Sequence, residues 1–164
     1  MSVVSGKRKE GKLQVLRAAR ELVVYTLKAC KNEKVFPKAY RWMLTQKIVN
    51  EAMDILGCIR RANATMADTE MNYQYRHQQQ SEAYAHTEAL LAFIDIAYEV
   101  LGIESRRVEY WTGLAVNTES KLQGWSRSTT RQWTKDSTED PEKVIPLPAS
   151  ENQENDKTSY AAAG

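Results

Sequence analysis

The sequence predicts an all-α protein, an antiparallel four-helix bundle, from three observations. Residues 1–125 contain a single proline, Pro37, so little in this part of the chain interrupts a helix. Apolar residues recur in four runs at the spacing of three and four that places them on one face of an α-helix. The links between the first and second runs and between the third and fourth runs are short, which favours antiparallel neighbours.

The first two runs predict helices over about 10–31 and 38–63. Pro37 suits the first turn of the second helix, where its missing N–H costs nothing. The predicted core faces consist of Val15, Ala19, Leu22, Thr26 and Cys30 in the first helix, and Leu44, Ile48, Ile55 and Ile59 in the second. A further apolar stripe lies beside the second face and is wider than a bundle-corner helix needs, which predicts either a subunit interface or a tight monomer core. This stripe consists of Trp42, Val49, Met53 and Leu56.

The third and fourth runs predict helices over about 81–101 and from Ser105 to Gly124–Trp125. Gly102 is suited to the helix end and Ser105 to the N-cap of the next helix. The preceding stretch, 64–80, is polar and weakly periodic. Its front is predicted to be a loop, and its rear could lengthen the third helix. The predicted core faces are Leu90, Ile94, Ala97, Tyr98 and Leu101 in the third helix, and Val108, Trp111, Ala115 and Leu122 in the fourth.

The predicted organisation is a basic N-terminal arm over 1–9, the bundle over 10–125 and a flexible polar tail over 126–164. The tail is rich in Ser, Thr, Asp, Glu, Asn and Pro, and so it offers too little apolar surface to offset the entropy of ordering. The longest strongly apolar run, Ala89–Ile94, is far too short to span a membrane. Two isolated cysteines, Cys30 and Cys58, predict a reducing, cytoplasmic setting.

The net charge of +2 conceals an asymmetry along the chain. Residues 1–63 carry 14 Lys and Arg against 5 Asp and Glu, a net charge of +9. Residues 64–125 carry 4 against 9, and residues 126–164 carry 5 against 7. A basic half and an acidic half in one chain indicate a polyanionic partner, self-association or both.

The basic half contains the candidate binding residues. Aromatic side chains, Phe36, Tyr40 and Trp42, lie among the last of its cations, and cations beside rings are typical of single-stranded nucleic-acid binding. Cations at the start of the second helix oppose the helix dipole, which favours an external anion. The alternative is a solvated cationic face with rings that pack into the core. The candidate nucleic-acid-binding residues are Arg17, Arg20, Lys28, Lys31, Lys34, Lys38 and Arg41.

Catalytic motifs are not found in the sequence. Phosphate-binding loops, dinucleotide fingerprints and HExxH are missing. Glu82 and His86 are four apart, whereas di-iron bundle sites use Glu-x-x-His twice. The two cysteines lie on apolar faces, where inert packing is their usual role. A non-enzymatic protein is therefore expected, without catalytic residues, cofactor or metal.

Two segments carry a family resemblance. "KVFPKAYRWMLTQKIVNEAMDILGCIRRAN" (34–63) resembles the opening motif of a family of small four-helix-bundle proteins, and "TEALLAFIDIAYEVLGIESRRVEYWTGLAVNTESKLQGW" (87–125) is similar to its second half. The family contains the accessory variability proteins of diversity-generating retroelements and proteins encoded by ribosomal RNA intervening sequences. The resemblance covers roughly 10–125.

The resemblance implies a non-enzymatic subunit that forms a homopentameric ring. It also implies that the ring binds template RNA through a basic surface, associates with a reverse transcriptase and so supports mutagenic reverse transcription. The matching positions are Phe36, Pro37, Lys38, Tyr40, Arg41, Gln46, Lys47 and Gly124–Trp125. Lys38 and Arg41 are interpreted as contacts to nucleic acid or polymerase, and Phe36, Pro37 and Gly124 as architectural. The alternative is a protein–protein interaction module of the intervening-sequence type, with no part in reverse transcription.

Overall fold

The computed structural model describes the backbone of residues 3–139 and the side chains of residues 13–139. Within that range the chain is helical and contains no strand. The four helices are α1 (Val3–Lys31), α2 (Gln46–Ala64), α3 (Glu70–Leu101) and α4 (Ser105–Glu139). A 3₁₀ turn (Lys38–Tyr40) and a π turn (Arg41–Thr45) lead into α2. The predicted all-α class with four helices is confirmed.

The four helices enclose one core. Each helix packs against the next along the chain, and α4 packs back against α1, which closes the bundle. The predicted core faces of α1 and α2 are buried except for Cys30, which is half-buried. In α3 and α4, Tyr98 is exposed and Leu101 and Val108 are half-buried. The other predicted core residues of α3 and α4 are buried, as the helical period required.

Trp111 lies at the centre of this core and is fully buried. Its indole Nε1 donates a hydrogen bond to Thr26 Oγ1 at 2.9 Å, and Thr26 Oγ1 donates to the Leu22 carbonyl oxygen at 2.8 Å. The ring of Phe36 packs edge-on against Trp111, with 6.1 Å between ring centroids. The link after α1 is therefore anchored to the core by an aromatic contact.

The predicted end of the fourth helix near Gly124–Trp125 is wrong, because α4 continues to Glu139. Trp125, Thr129 and Trp133 recur every fourth residue and are all buried. The ring of Tyr73 stacks on Trp133, with centroids 4.9 Å apart and planes inclined by 8°. Residues 126–139 are thus part of the bundle instead of the predicted flexible tail. The rest of that tail, 140–164, lies outside the described residues.

Two other helices also begin earlier than predicted. α3 starts at Glu70, and Thr69 caps it by accepting a hydrogen bond from the Asn72 N–H at 3.2 Å. The polar start of α3 buries Arg76, Gln79 and Gln80. Arg76 lies over the Trp125 ring, and Gln80 Nε2 donates to Thr129 Oγ1 at 3.3 Å, so both contact the end of α4. Gln79 faces α2 instead and accepts a hydrogen bond from Arg61 Nε. α1 starts at Val3, so the backbone of the predicted basic arm is helical from that residue.

The entry to α2 departs from the predicted continuous helix over 38–63. The Arg41 N–H bonds to the Lys38 carbonyl in the 3₁₀ turn, and the Gln46 N–H bonds to the Arg41 carbonyl five residues back in the π turn. The Thr45 hydroxyl donates to the Tyr40 carbonyl at 3.4 Å. This wide turn places Trp42 on the surface, where 74% of it is exposed. π turns of this kind are rare and often occur at functional sites.

Candidate nucleic-acid interface

All seven predicted cations are exposed on the surface. Arg17 and Arg20 lie in the middle of α1, and Lys28 and Lys31 lie in its last turns. The partial negative charge at the carboxyl end of α1 favours cations there, so Lys28 and Lys31 also stabilise the end of this helix. Lys34, in the link, and Lys38 and Arg41, in the 3₁₀ and π turns, extend the cations around the same end of the bundle.

Three of these cations line a groove between α1 and α4 with a volume of about 500 Å³. Arg17, Arg20 and Lys28 share its wall with Tyr25 and Tyr110. The two tyrosine rings meet edge-on at 4.9 Å, and 53% of Tyr110 is exposed. Burial is the main reason that the pKa of Tyr25 is raised, so this hydroxyl stays protonated. Glu21 also lines this groove, so the wall offers three cations, one carboxylate and an accessible ring. Cations beside an accessible ring are typical of single-stranded nucleic-acid sites.

Arg17 and Arg20 also border a second groove, between α1 and α2, of about 430 Å³. Arg60 from α2 lies in its wall, together with the side chains of Leu13, Leu16 and Leu56. The two arginines of α1 therefore stand on a ridge between two grooves. An extended anion lying along this ridge would meet cations from both α1 and α2.

Lys38 and Arg41 share an internal counter-ion. Glu33 Oε1 lies 3.5 Å from Lys38 Nζ and 3.8 Å from Arg41 Nη2. All three side chains are more than half exposed, so these ion pairs add little to stability. Their main effect is to lower the local positive charge, and Glu33 stands where a phosphate would otherwise bind. Among the described side chains, the other five predicted cations form no ion pair.

The three aromatic residues of the entry segment have separate roles. Phe36 is buried against Trp111 and is not available to a base. Tyr40 is half-buried. Trp42 is the ring that can stack on a ligand, because it is the most exposed of the three and follows Arg41 directly. The packing alternative is thus correct for Phe36 and wrong for Trp42.

The predicted interface stripe is divided by the structure. Trp42 and Met53 are exposed, the latter by 49%. Val49 and Leu56 are half-buried, and Leu56 packs against the core. Met43, which the stripe omitted, is 63% exposed beside Trp42. The free apolar surface therefore centres on the π turn and the adjacent side of α2.

Sequence reasoning missed Tyr110 and Arg60. Both depend on which helices are neighbours, since Tyr110 reaches the cations of α1 only because α4 packs against α1. A signal existed in the pair Tyr110–Trp111, since adjacent residues point about 100° apart on a helix and Trp111 already lay on the narrow predicted core face.

The groups considered for catalysis are occupied by ordinary contacts. His86 Nδ1 lies 2.7 Å from Glu51 Oε2, as expected of a hydrogen-bonded histidine at the edge of the core. Arg61 Nη2 lies 3.1 Å from Cys58 Sγ, yet the pKa of Cys58 is raised, chiefly by burial. Burial also raises the pKa of Cys30, to about 12. Neither thiol has the lowered pKa of a catalytic nucleophile.

Within the described part of the chain, no group of three or more His, Cys, Asp and Glu side chains is placed to hold a metal ion. None of the described helices is long and apolar enough to cross a membrane. No family model, curated protein or solved structure matches the chain. A function must therefore be inferred from the geometry of these surfaces and from the resemblance of the two sequence segments.

Proposed function

We propose that the protein is a non-catalytic accessory subunit of a diversity-generating retroelement. In this role it binds template RNA and the reverse transcriptase as a homopentameric ring. The observation that carries the proposal is the path of seven exposed cations from Arg17 to Arg41, interrupted by Glu21 and Glu33, with Tyr110 and Trp42 as accessible rings beside it. Single-stranded RNA needs both elements, cations for its phosphates and flat apolar faces for its bases.

The mode of action is electrostatic capture and positioning, without bond chemistry. One subunit offers a modest number of phosphate contacts, since Glu33 offsets part of the charge of Lys38 and Arg41. Repetition of the same path in each subunit of a ring multiplies those contacts, and the effective concentration of RNA at the second and later sites rises accordingly. The exposed apolar surface of Trp42, Met43 and Met53 supplies a contact for a neighbouring subunit or for the polymerase.

The test is a charge reversal at the entry to α2, Lys38→Glu with Arg41→Glu. The matched control is Arg127→Glu with Arg131→Glu, which makes the same change in net charge on exposed residues of α4. Binding of single-stranded RNA is measured by fluorescence anisotropy at several salt concentrations. Mass by light scattering, with and without RNA, reports the assembly.

The entry variant should bind RNA at least about tenfold more weakly at moderate salt, and the slope of log K against log salt should fall by about 1.4, the value for two lost contacts on a single strand. The control should bind nearly as the parent protein does. Equal losses in both variants would mean that only net charge matters. Unchanged RNA binding in the entry variant would mean that Lys38 and Arg41 do not contact RNA.

A second candidate function is a protein–protein interaction module of the intervening-sequence type. It is favoured by the internal neutralisation of Lys38 and Arg41 by Glu33 and by the exposure of Trp42. This candidate function predicts that the protein does not bind RNA at physiological salt. A neighbouring reverse-transcriptase gene, with a pair of near-identical template and variable repeats, would argue for the first function.

A further inference from the structure

A separate cavity lies at the end of the bundle opposite the cationic link. It measures about 230 Å³ and lies between the α2–α3 loop, the start of α3 and the last turns of α4. Met66 contributes to its wall from the loop, Arg76 from α3, and Trp125, Ser128 and Trp133 from α4. Pockets for drug-sized ligands commonly measure about 300–1,000 Å³, so this cavity is suited to a smaller molecule.

Arg76 is the unusual member of this wall. Only 7% of the residue is exposed, and no carboxylate among the described residues pairs with it. Its Nε is buried without a hydrogen-bond partner. Desolvation lowers the pKa of the guanidinium, although arginine remains charged. A buried cation without a counter-ion is costly, and such groups are normally paired.

Trp125 offsets only part of that cost. Its ring lies under the guanidinium, with the Arg76 Cζ 5.1 Å from the ring centroid, in a cation–π contact. The indole Nε1 of Trp125 is itself a buried donor without a partner. Both of these nitrogen atoms are enclosed by protein, so the part of the wall that a ligand can reach is the terminal Nη end of the Arg76 guanidinium. The group that pairs best with a guanidinium is a carboxylate or phosphate oxygen.

Other residues of the wall limit the ligand further. Asp68 also lines the cavity, and its Oδ1 accepts a hydrogen bond from Asn72 Nδ2 at 2.7 Å. A carboxylate in the wall repels an anion, so the oxyanion of a ligand fits on the Arg76 side of the cavity. Trp133 is held flat by its stack on Tyr73 and presents an apolar wall, which suits a planar apolar group on the ligand.

We propose that this cavity is a binding site for a small molecule that carries one carboxylate or phosphate group on an aromatic or other flat apolar part. The oxyanion pairs with Arg76, and the apolar part contacts Trp133. The site is independent of the RNA path, because Arg76 and Trp133 lie at the other end of the helices from Lys31 and Lys38. Its occupation would stiffen the loop after α2 and the end of α4.

The test uses the indole N–H signals of the full chain in two-dimensional ¹⁵N–¹H NMR spectra, since the four tryptophans give separate probes. Benzoate and phenyl phosphate are titrated separately, with sodium chloride at matched ionic strength as the reference. The signals of Trp125 and Trp133 should shift saturably while that of Trp42, at the other end, stays in place. The anion that saturates at the lower concentration distinguishes a carboxylate from a phosphate ligand.

Arg76→Met should weaken the apparent affinity by roughly tenfold or more, on the scale of one lost charged hydrogen bond. Arg131→Met, which removes an exposed arginine from α4, should leave the affinity unchanged. If Arg76→Met does not fold, Ser128→Phe keeps Arg76, narrows the cavity from its exposed rim and should also abolish the shifts. Shifts that sodium chloride reproduces, shifts that persist in these variants, or no shifts at all would overturn the proposal.

Discussion

Replacement of Thr26 by valine isolates the buried hydrogen bond at the centre of the core. Valine has nearly the same shape as threonine, so the change removes the hydroxyl without opening a large cavity. The Leu22 carbonyl loses the Thr26 hydroxyl donor but keeps the backbone bond of the helix. The Trp111 N–H, fully buried and bonded to Thr26 Oγ1 at 2.9 Å, loses its partner. An orphaned buried donor costs about 1–3 kcal/mol, so we expect the free energy of unfolding to fall by about 2 kcal/mol.

A double-mutant cycle with Trp111→Phe separates this hydrogen bond from the packing around it. In the Trp111→Phe background the donor no longer exists, so Thr26→Val should cost less than about 0.5 kcal/mol. Urea unfolding is followed by circular dichroism at 222 nm, because Trp111→Phe removes a tryptophan and so changes the fluorescence signal itself. The reasoning is refuted if Thr26→Val costs the same in both backgrounds, or costs less than about 0.3 kcal/mol in the parent.

Three further predictions each concern one site. Trp133→Ala should lower the free energy of unfolding by about 3 kcal/mol in urea unfolding, because it removes a buried ring stacked on Tyr73. Thr134→Ala, at an exposed position, should change it little, and equal effects of the two variants would mean that the end of α4 is not packed. Glu33→Gln should strengthen RNA binding several-fold in anisotropy titrations, because it frees two cations, and weaker binding would contradict the proposed path. Cys30, with its pKa raised to about 12 by burial, should have roughly a thousandfold less thiolate at pH 8 than in urea. Iodoacetamide labelling measured by mass spectrometry checks this. The folded thiol keeps its proton where the unfolded one loses it, so its contribution to stability is present below about pH 9 and is lost as the pH rises toward 12.

The core could be predicted from the sequence because it depends on helical period alone. Leu22, Ile55 and Ile94 fall on strongly apolar faces, and each is buried. The end of α4 could not be predicted from composition, because the average polarity of 126–139 conceals a regular spacing. Trp125, Thr129 and Trp133 form a narrow stripe that is stable only against the equally polar start of α3. Neither residues 126–139 nor the start of α3 indicates a buried helix when it is read alone.

The sequence predicted the charged residues of the candidate site but not the grooves and turns that hold them. Charge density along the sequence indicated the seven cations, and each of them is exposed. Projection at 100° per residue placed Trp42 in line with Val49 and Met53, but the π turn breaks that projection. Helix pairing, which brings Tyr110 to the cations of α1, is a long-range property that periodicity does not encode.

The π turn between Arg41 and Thr45 has the character of a one-residue insertion. An ordinary α-helix would pass this point with one residue fewer, and the core register from Ile48 onward would be the same. The additional residue therefore keeps the register of α2 and rotates what precedes it by about 100°. Loss of Met43 would turn Arg41 and Trp42 to a different side of α2, and it would strain the link in which Phe36 packs against Trp111. The length of this segment thus sets both what the surface displays and how the link reaches the core, and a comparison of related chains at this position should show whether that length is kept.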